Sequence, residues 1–197
     1  MDRQILRDIH DYWFGDLKGP PPQELVDRWF KPSEEVDNHI RETFGPHLDE
    51  ARDTDWKLSE LTREEQMGLI VLLDQFPRQI WRKSGEAFAY DSKALSIARE
   101  LVAGGTDRFK PVERTFLFLP FEHSEDVADQ DESVMLYAIG AVNAPPEAKA
   151  GVRNTLDFAT KHRDVIRKFG RFPHRNVMLG RESTPEEVEF LKGGRGF

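Results

Sequence analysis

The sequence predicts an all-α fold, and three observations lead to that class. Apolar residues recur at helical spacing along nearly the whole chain. Ser, Thr and Pro fall where helices would start, and Gly where they would stop. No alternating apolar run flanks an Asn-Gly or Asp-Gly turn, the usual mark of a β-hairpin.

The elements follow in order. Ile5, Leu6, Ile9, Tyr12 and Trp13 line one face of a helix over about 2–14, which Gly15 stops. Pro20-Pro21-Pro22 is a stiff connector into a helix with Leu25, Val26, Trp29 and Phe30 on its apolar face. Ser33 is an N-cap, with Glu34 and Glu35 in the first turn where the helix dipole favours acids. Val36, Ile40, Phe44 and Leu48 continue that helix, and Gly45-Pro46 predicts a break in it near 45. Thr62-Arg63-Glu64-Glu65 is a capping box for a helix carrying Met67, Ile70, Leu73 and Phe76, which Pro77 is expected to end near Gln75.

Asp91 or Ser92 starts the next helix, with Leu95, Ala98, Leu101 and Val102 inward and Gly104-Gly105 as its stop. Pro111 opens a sixth, which Pro120 is expected to close. Ser124-Glu125-Asp126 opens a seventh, ending at Gly140. Pro145-Pro146-Glu147 begins the longest, with Val152, Leu156, Ala159, His162, Val165, Ile166 and Phe169 spaced along it up to Gly170. Thr184-Pro185-Glu186-Glu187 combines a cap, a first-turn proline and a glutamate three residues on, so a short last helix starts there. That makes about nine helices. Their short connections predict antiparallel αα-hairpins.

The chain has 197 residues and a mass of 22.8 kDa. One domain over 1–192 with a flexible tail at 193–197 suits that length. The absence of Cys excludes disulfides, thiolate metal sites and thiol catalysis. No apolar run approaches the ~20 residues needed to span a membrane, and the N-terminus reads as an amphipathic helix and not a signal core. We therefore expect a cytoplasmic protein with no membrane partner. A net charge of −8 makes nucleic acid a poor partner.

Three segments carry candidate chemistry. In Asp74-Gln75-Phe76-Pro77-Arg78 with Trp81 and Arg82, the guanidinium groups of Arg78 and Arg82 can fork onto an anion, with Asp74 orienting one of them. The same residues also suit a helix end held by an ion pair, with Phe76 and Trp81 as core anchors.

The second segment, Pro120–Asp126, lies in a stretch from 121 to 133 with six acids and no Lys or Arg. Most of those acids suit a solvated helix face, but Glu122, His123 and Glu125 stand at a helix start. A histidine beside a carboxylate is the usual general-base pair, so His123 is the candidate catalytic residue. His162 and His174 supply further imidazoles, yet the repeated Glu-x-x-His of di-iron bundles is missing, so no metal or other cofactor is expected.

In the third segment, 161–181, seven bases face one acid, Asp164. Arg167 and Lys168 suit a helix C-terminus. Arg171, His174, Arg175 and Asn176 lie beyond Gly170 on a loop, where recognition groups concentrate.

Leu73–Arg78, Pro120–Glu125 and Phe169–Asn176, with Tyr12–Gly15, Arg28–Phe30 and the Thr-Pro-Glu-Glu start of the last helix, resemble the family catalogued as domain of unknown function 924. The resemblance covers nearly the whole chain. It implies a bacterial-type helical fold similar to the tetratricopeptide superhelix, without that repeat's 34-residue consensus, and it implies no activity. The family often carries Met where this chain has Glu122, which moves weight to His123 and Glu125.

Two functions fit. In the first, Arg78, His123, Glu125, Arg171, His174 and Arg175 converge on a small anionic ligand, walled by Phe76, Trp81, Phe121 and Phe172. In the second, the chain is a peptide-binding module whose motif residues are buried ion pairs.

Overall fold

The computed structural model describes residues 1–17, 19–144 and 149–194. Among them are eleven α-helical stretches and no strand. The chain divides into two compact units. One comprises Met1–Arg82 with Glu86–Pro120, and the other the described residues of Lys83–Gly85 and Phe121–Phe197.

In the first unit, α1 (Arg3–Phe14) starts where the Asp2 carboxylate accepts from the Gln4 N–H. It buries Leu6, Ile9, Trp13 and Phe14 and stops at Gly15, whose φ of +59° admits no ordinary side chain. α2 (Gln23–Phe30) follows Pro22. α3 (Glu34–Thr43) is capped by Ser33, whose hydroxyl accepts from the Val36 N–H. The expected break is a 3₁₀ turn at Gly45–His47, after which α4 (Leu48–Asp53) begins. α5 (Arg63–Ile70) opens on the complete Thr62–Glu65 capping box.

Pro77 does not end this helical run. Val71–Gln75 form a π-helical turn, in which the Phe76 N–H reaches back to the Val71 carbonyl, and Pro77 then sits in the first turn of α6 (Phe76–Ile80). Proline cannot donate to the carbonyl four residues back. At the start of a helix that missing N–H breaks no internal bond, and the π-turn supplies such a restart without an interruption.

α7 (Asp91–Ala103) has Ala98 and Leu101 inward as expected, together with Ala94 and Ile97, whereas Leu95 and Val102 are only half-buried. α8 (Pro111–Glu122) runs through Pro120 to Glu122. Phe116, Leu117, Phe118 and Phe121 are all buried there, and that packing outweighs the one ladder bond a proline forgoes.

Aromatic rings fill the core of this unit. Trp13 meets Phe76 and Phe116 edge-on at 5.5 and 5.6 Å, and Trp29 meets Phe116 at 5.0 Å. α1 lies along α5. The approach is closest at Gly68, where a Cβ would stand 2.0 Å from the Leu6 carbonyl oxygen.

In the second unit, α9 (Val127–Asn143) is capped by Asp126 and passes beyond Gly140. It pairs with α10 (Lys149–Phe169), which Gly170 ends at a φ of +69°. α11 (Pro185–Lys192) carries the complete Thr184–Glu187 capping box. Val165, Ile166 and Phe172 form the buried cluster of this region, flanked by Phe169 and Phe190. The expected helix start at Pro145-Pro146-Glu147 and the end of the tail, residues 195–197, lie outside the described residues.

Candidate functional site

In the first unit the π-turn sets the Asp74 cluster. The Asp74 carboxylate is fully buried and accepts from the Gln75 amide at 2.6 Å. Arg78, one turn on, donates to the Asp74 backbone carbonyl at 2.6 Å and grips Asp91 with both terminal nitrogens at 2.7 and 2.9 Å. Burial works against the charge on Arg78, but the carboxylates of Asp91 and Asp74 outweigh it and raise its pKa. Arg82 is likewise bidentate to Asp37 at 2.6 and 2.7 Å. Both arginines therefore hold carboxylates of this unit. Phe76 is fully buried, while Trp81 is half-buried and stacks on Tyr90.

In the second unit the loop after α10 is tied down by two carboxylates. Glu187 receives Arg171 at 2.6 and 2.8 Å, the Thr184 N–H at 2.7 Å and the Asn176 amide at 3.2 Å. Those donors, Arg171 foremost, hold its pKa down at about 2. Glu125 accepts from the Phe172 N–H at 2.7 Å and from Arg181 at 2.7 and 3.0 Å. Burial pushes the Glu125 pKa up, and Arg181 with the Phe172 N–H more than reverses it. Arg181 also donates to the Asn176 side-chain oxygen at 2.9 Å. Glu125, Arg171 and Asn176 thus belong to one network. Arg181 and Glu187 complete it, and sequence reasoning gave neither a site role. The capping motif pointed to Glu187 only as a helix starter.

Phe172 is the hub of a second arrangement. The Arg175 guanidinium lies 4.5 Å from its ring centroid, the His174 ring 5.5 Å away and the His162 ring 5.6 Å away, edge-on. His162 Nδ1 stands 2.9 Å from the Phe158 carbonyl and 3.0 Å from a Glu122 oxygen. Both partners accept, so Nδ1 carries the proton. Burial drives the His162 pKa down to about 3. The Phe158 carbonyl opposes this, and His123, His174 and Arg175 add to it. His123, His174 and Arg175 thus all act on His162, and Glu122 is buried beside that ring. Among the described residues no group of three or more His, Cys, Asp or Glu side chains is placed to hold a metal ion.

A family profile described as bacterial protein of unknown function (DUF924) matches residues 9–195. The chain belongs to the DUF924 family. A solved structure, that of the protein of unknown function ATU0120 from Agrobacterium tumefaciens, is similar at 32% identity, with a TM-score of 0.81, covering 96% of this chain and 98% of that one. No curated protein matches. DUF924 membership agrees with the resemblance read from the motifs, and the all-α class holds. No helix among the described residues is long and apolar enough to cross a membrane.

Proposed function

We propose that the second unit binds a small anion, a carboxylate or a phosphate ester, at the cluster around Phe172. His123, His174 and Arg175 would contact it, with His123 as acid–base group. The observation that carries this reading is the buried His162. The Arg175 guanidinium and the His174 and His162 rings gather 4.5, 5.5 and 5.6 Å from the Phe172 ring centroid, and His162, beside Glu122, is kept neutral by burial foremost and by His123, His174 and Arg175. An anion of matching size relieves that crowding and meets donors in a setting where charge-assisted bonds are strong. Glu125, Arg171, Asn176, Arg181 and Glu187 then act as positioning residues that hold the loop bearing His174 and Arg175.

A thermal-shift screen against small carboxylates, phosphate esters and divalent cations tests it. An anion present at a hundred times its Kd stabilises by about 2.7 kcal/mol, roughly 5–10 °C in Tm for a chain of this size. The shift is expected to vanish in Arg175→Ala and in His174→Gln, the latter being the milder change. A flat screen, or shifts in both variants equal to that of the parent, overturns the proposal.

A second reading is favoured by the bidentate pairs Arg78–Asp91, Arg82–Asp37 and Arg171–Glu187. In it these motif arginines are structural locks of a peptide-binding module. A flat anion screen together with a large loss of stability in Arg171→Gln supports it.

A further inference from the structure

The first unit holds a concave site that neither the motifs nor the family description assigns. It is a cleft of about 510 Å³ between the end of α1, α2 and the first turns of α3. That volume lies within the ~300–1,000 Å³ of small-molecule sites. Tyr12 and Val36 line it, together with His39, whose ring centroid is 4.8 Å from that of Tyr12. The Tyr12 ring is backed by Phe44 at 5.6 Å and by the edge of Phe76 at 6.5 Å, so this wall is rigid.

The charged groups of the cleft are unequally engaged. Lys31 and Asp27 neutralise each other at 2.9 Å. Arg28 is different. It is half-buried, its guanidinium lies 4.6 Å from the Tyr12 ring centroid, and one nitrogen donates to the Tyr12 backbone carbonyl at 2.5 Å. It has no carboxylate partner among the described residues. Glu24 and Glu35 line the same cleft, exposed and without a cation partner among the described residues. The Tyr12 hydroxyl makes no hydrogen bond among them either. Burial raises its pKa, with Asp37 and Glu35 adding to the rise against Arg28, so it keeps its proton at neutral pH.

The cleft therefore offers a half-buried guanidinium with no carboxylate partner among the described residues, a phenol hydroxyl, two exposed carboxylates, and a wall of Tyr12, Val36 and His39. A simple anion would leave Glu24 and Glu35 unanswered. A simple cation would leave Arg28 unanswered. We infer that this cleft binds a small zwitterion, an α-amino acid with an apolar side chain, through Arg28 and Tyr12 on its carboxylate, Glu24 and Glu35 on its ammonium, and the Tyr12–Val36–His39 wall on its side chain. A guanidinium fork suits a carboxylate, and the apolar wall selects for the side chain.

Isothermal titration of the full chain tests this with three probes of one skeleton: L-phenylalanine, phenethylamine, which lacks the carboxylate, and 3-phenylpropionate, which lacks the amine. L-Phenylalanine is expected to bind, and each single-charge analogue at least about tenfold more weakly, as the loss of one charge-assisted contact implies. Arg28→Gln is expected to weaken L-phenylalanine by about 10- to 100-fold, and Tyr12→Phe, which removes only the hydroxyl, by less. Circular dichroism of both variants establishes that they remain folded. Absence of L-phenylalanine binding, an analogue that binds as tightly, or unchanged affinity in Arg28→Gln overturns the inference.

Discussion

Gly68 shows how far a single missing side chain can set the packing of two helices. A Cβ at that position would lie 2.0 Å from the Leu6 carbonyl oxygen and 2.8 Å from its carbon, and both are backbone atoms that no rotamer change can move. Gly68→Ala must therefore push α1 from α5. Helix propensity favours alanine by about 1 kcal/mol, but overpacking against backbone outweighs that, and a net loss of about 3 kcal/mol is expected. Urea unfolding measures it, and a variant as stable as the parent would show that the two helices do not approach so closely. Glu187 makes the complementary point with a side chain that is present. It gathers Arg171, Asn176 and the Thr184 N–H. Glu187→Gln keeps the shape and removes the charge, so the loop 171–181 is expected to loosen. Faster amide exchange at Phe172 and Asn176 would register it, while unchanged exchange would mean that Glu125 alone holds the loop.

Among elements, the starts of helices were legible, and so were the ends at Gly15, Gly104 and Gly170, but not the ends expected at Pro77, Pro120 and Gly140. Ser33, Thr62, Asp126 and Thr184 accept their capping bonds as the sequence predicts, because a cap is made within three residues. Thr62→Ala is expected to destabilise by about 1 kcal/mol. Glu65, which closes that box, also receives Arg3 and Arg7, and Glu187 in the other box receives Arg171 and Asn176, so Thr184→Ala is expected to cost a similar amount. Comparison of the two variants' urea midpoints decides it. Pro77 and Pro120 misled, since whether a proline ends a helix depends on the packing around it: a π-turn at 71–75 restarts the ladder, and buried phenylalanines hold α8 together. Site residues divide in the same way. The basic run at 161–181 stood out by composition, but Arg78 finds Asp91, Arg82 finds Asp37 and Arg171 finds Glu187 at separations of 13, 45 and 16 residues, which no local spacing encodes. The cleft at Tyr12 was hidden for a related reason. Tyr12 belongs to an amphipathic helix, and only the fold brings α2 and α3 beside it.

For the molecule as a whole the net charge of −8 matters less than where charges meet and how they titrate. The acidic stretch 121–133 and the basic stretch 161–181 join within the second unit, through Asp131 with Arg167, Glu125 with Arg181, and Glu122 with His162 when that ring is charged. Titration of these groups sets a pH dependence whose sign follows from the shifts. The Glu125 and Glu187 pKa values are lowered from the usual 4.5, so their contribution is present above about 4.5 and is lost as pH falls below it. In the first unit Glu113 behaves alike. Burial pushes its pKa up, and His10, the Lys110 N–H and Arg63 bring it down overall. His162 acts earlier on the acid side. Its folded pKa is about 3 against a usual 6.5, so between those values the unfolded chain holds a proton that the folded chain refuses. Stability therefore falls with pH across that window, at up to about 1.4 kcal/mol per pH unit. His162→Gln cannot titrate and keeps a donor for the Phe158 carbonyl. It is expected to remove that slope between pH 6 and 5 and to leave the carboxylate losses below pH 4.5 in place. Urea midpoints of the parent and the variant at pH 7, 6 and 5 measure the difference. An identical slope in both would mean that His162 takes up its proton in the folded chain as readily as in the unfolded one, and the crowding around Phe172 would lose its electrostatic basis.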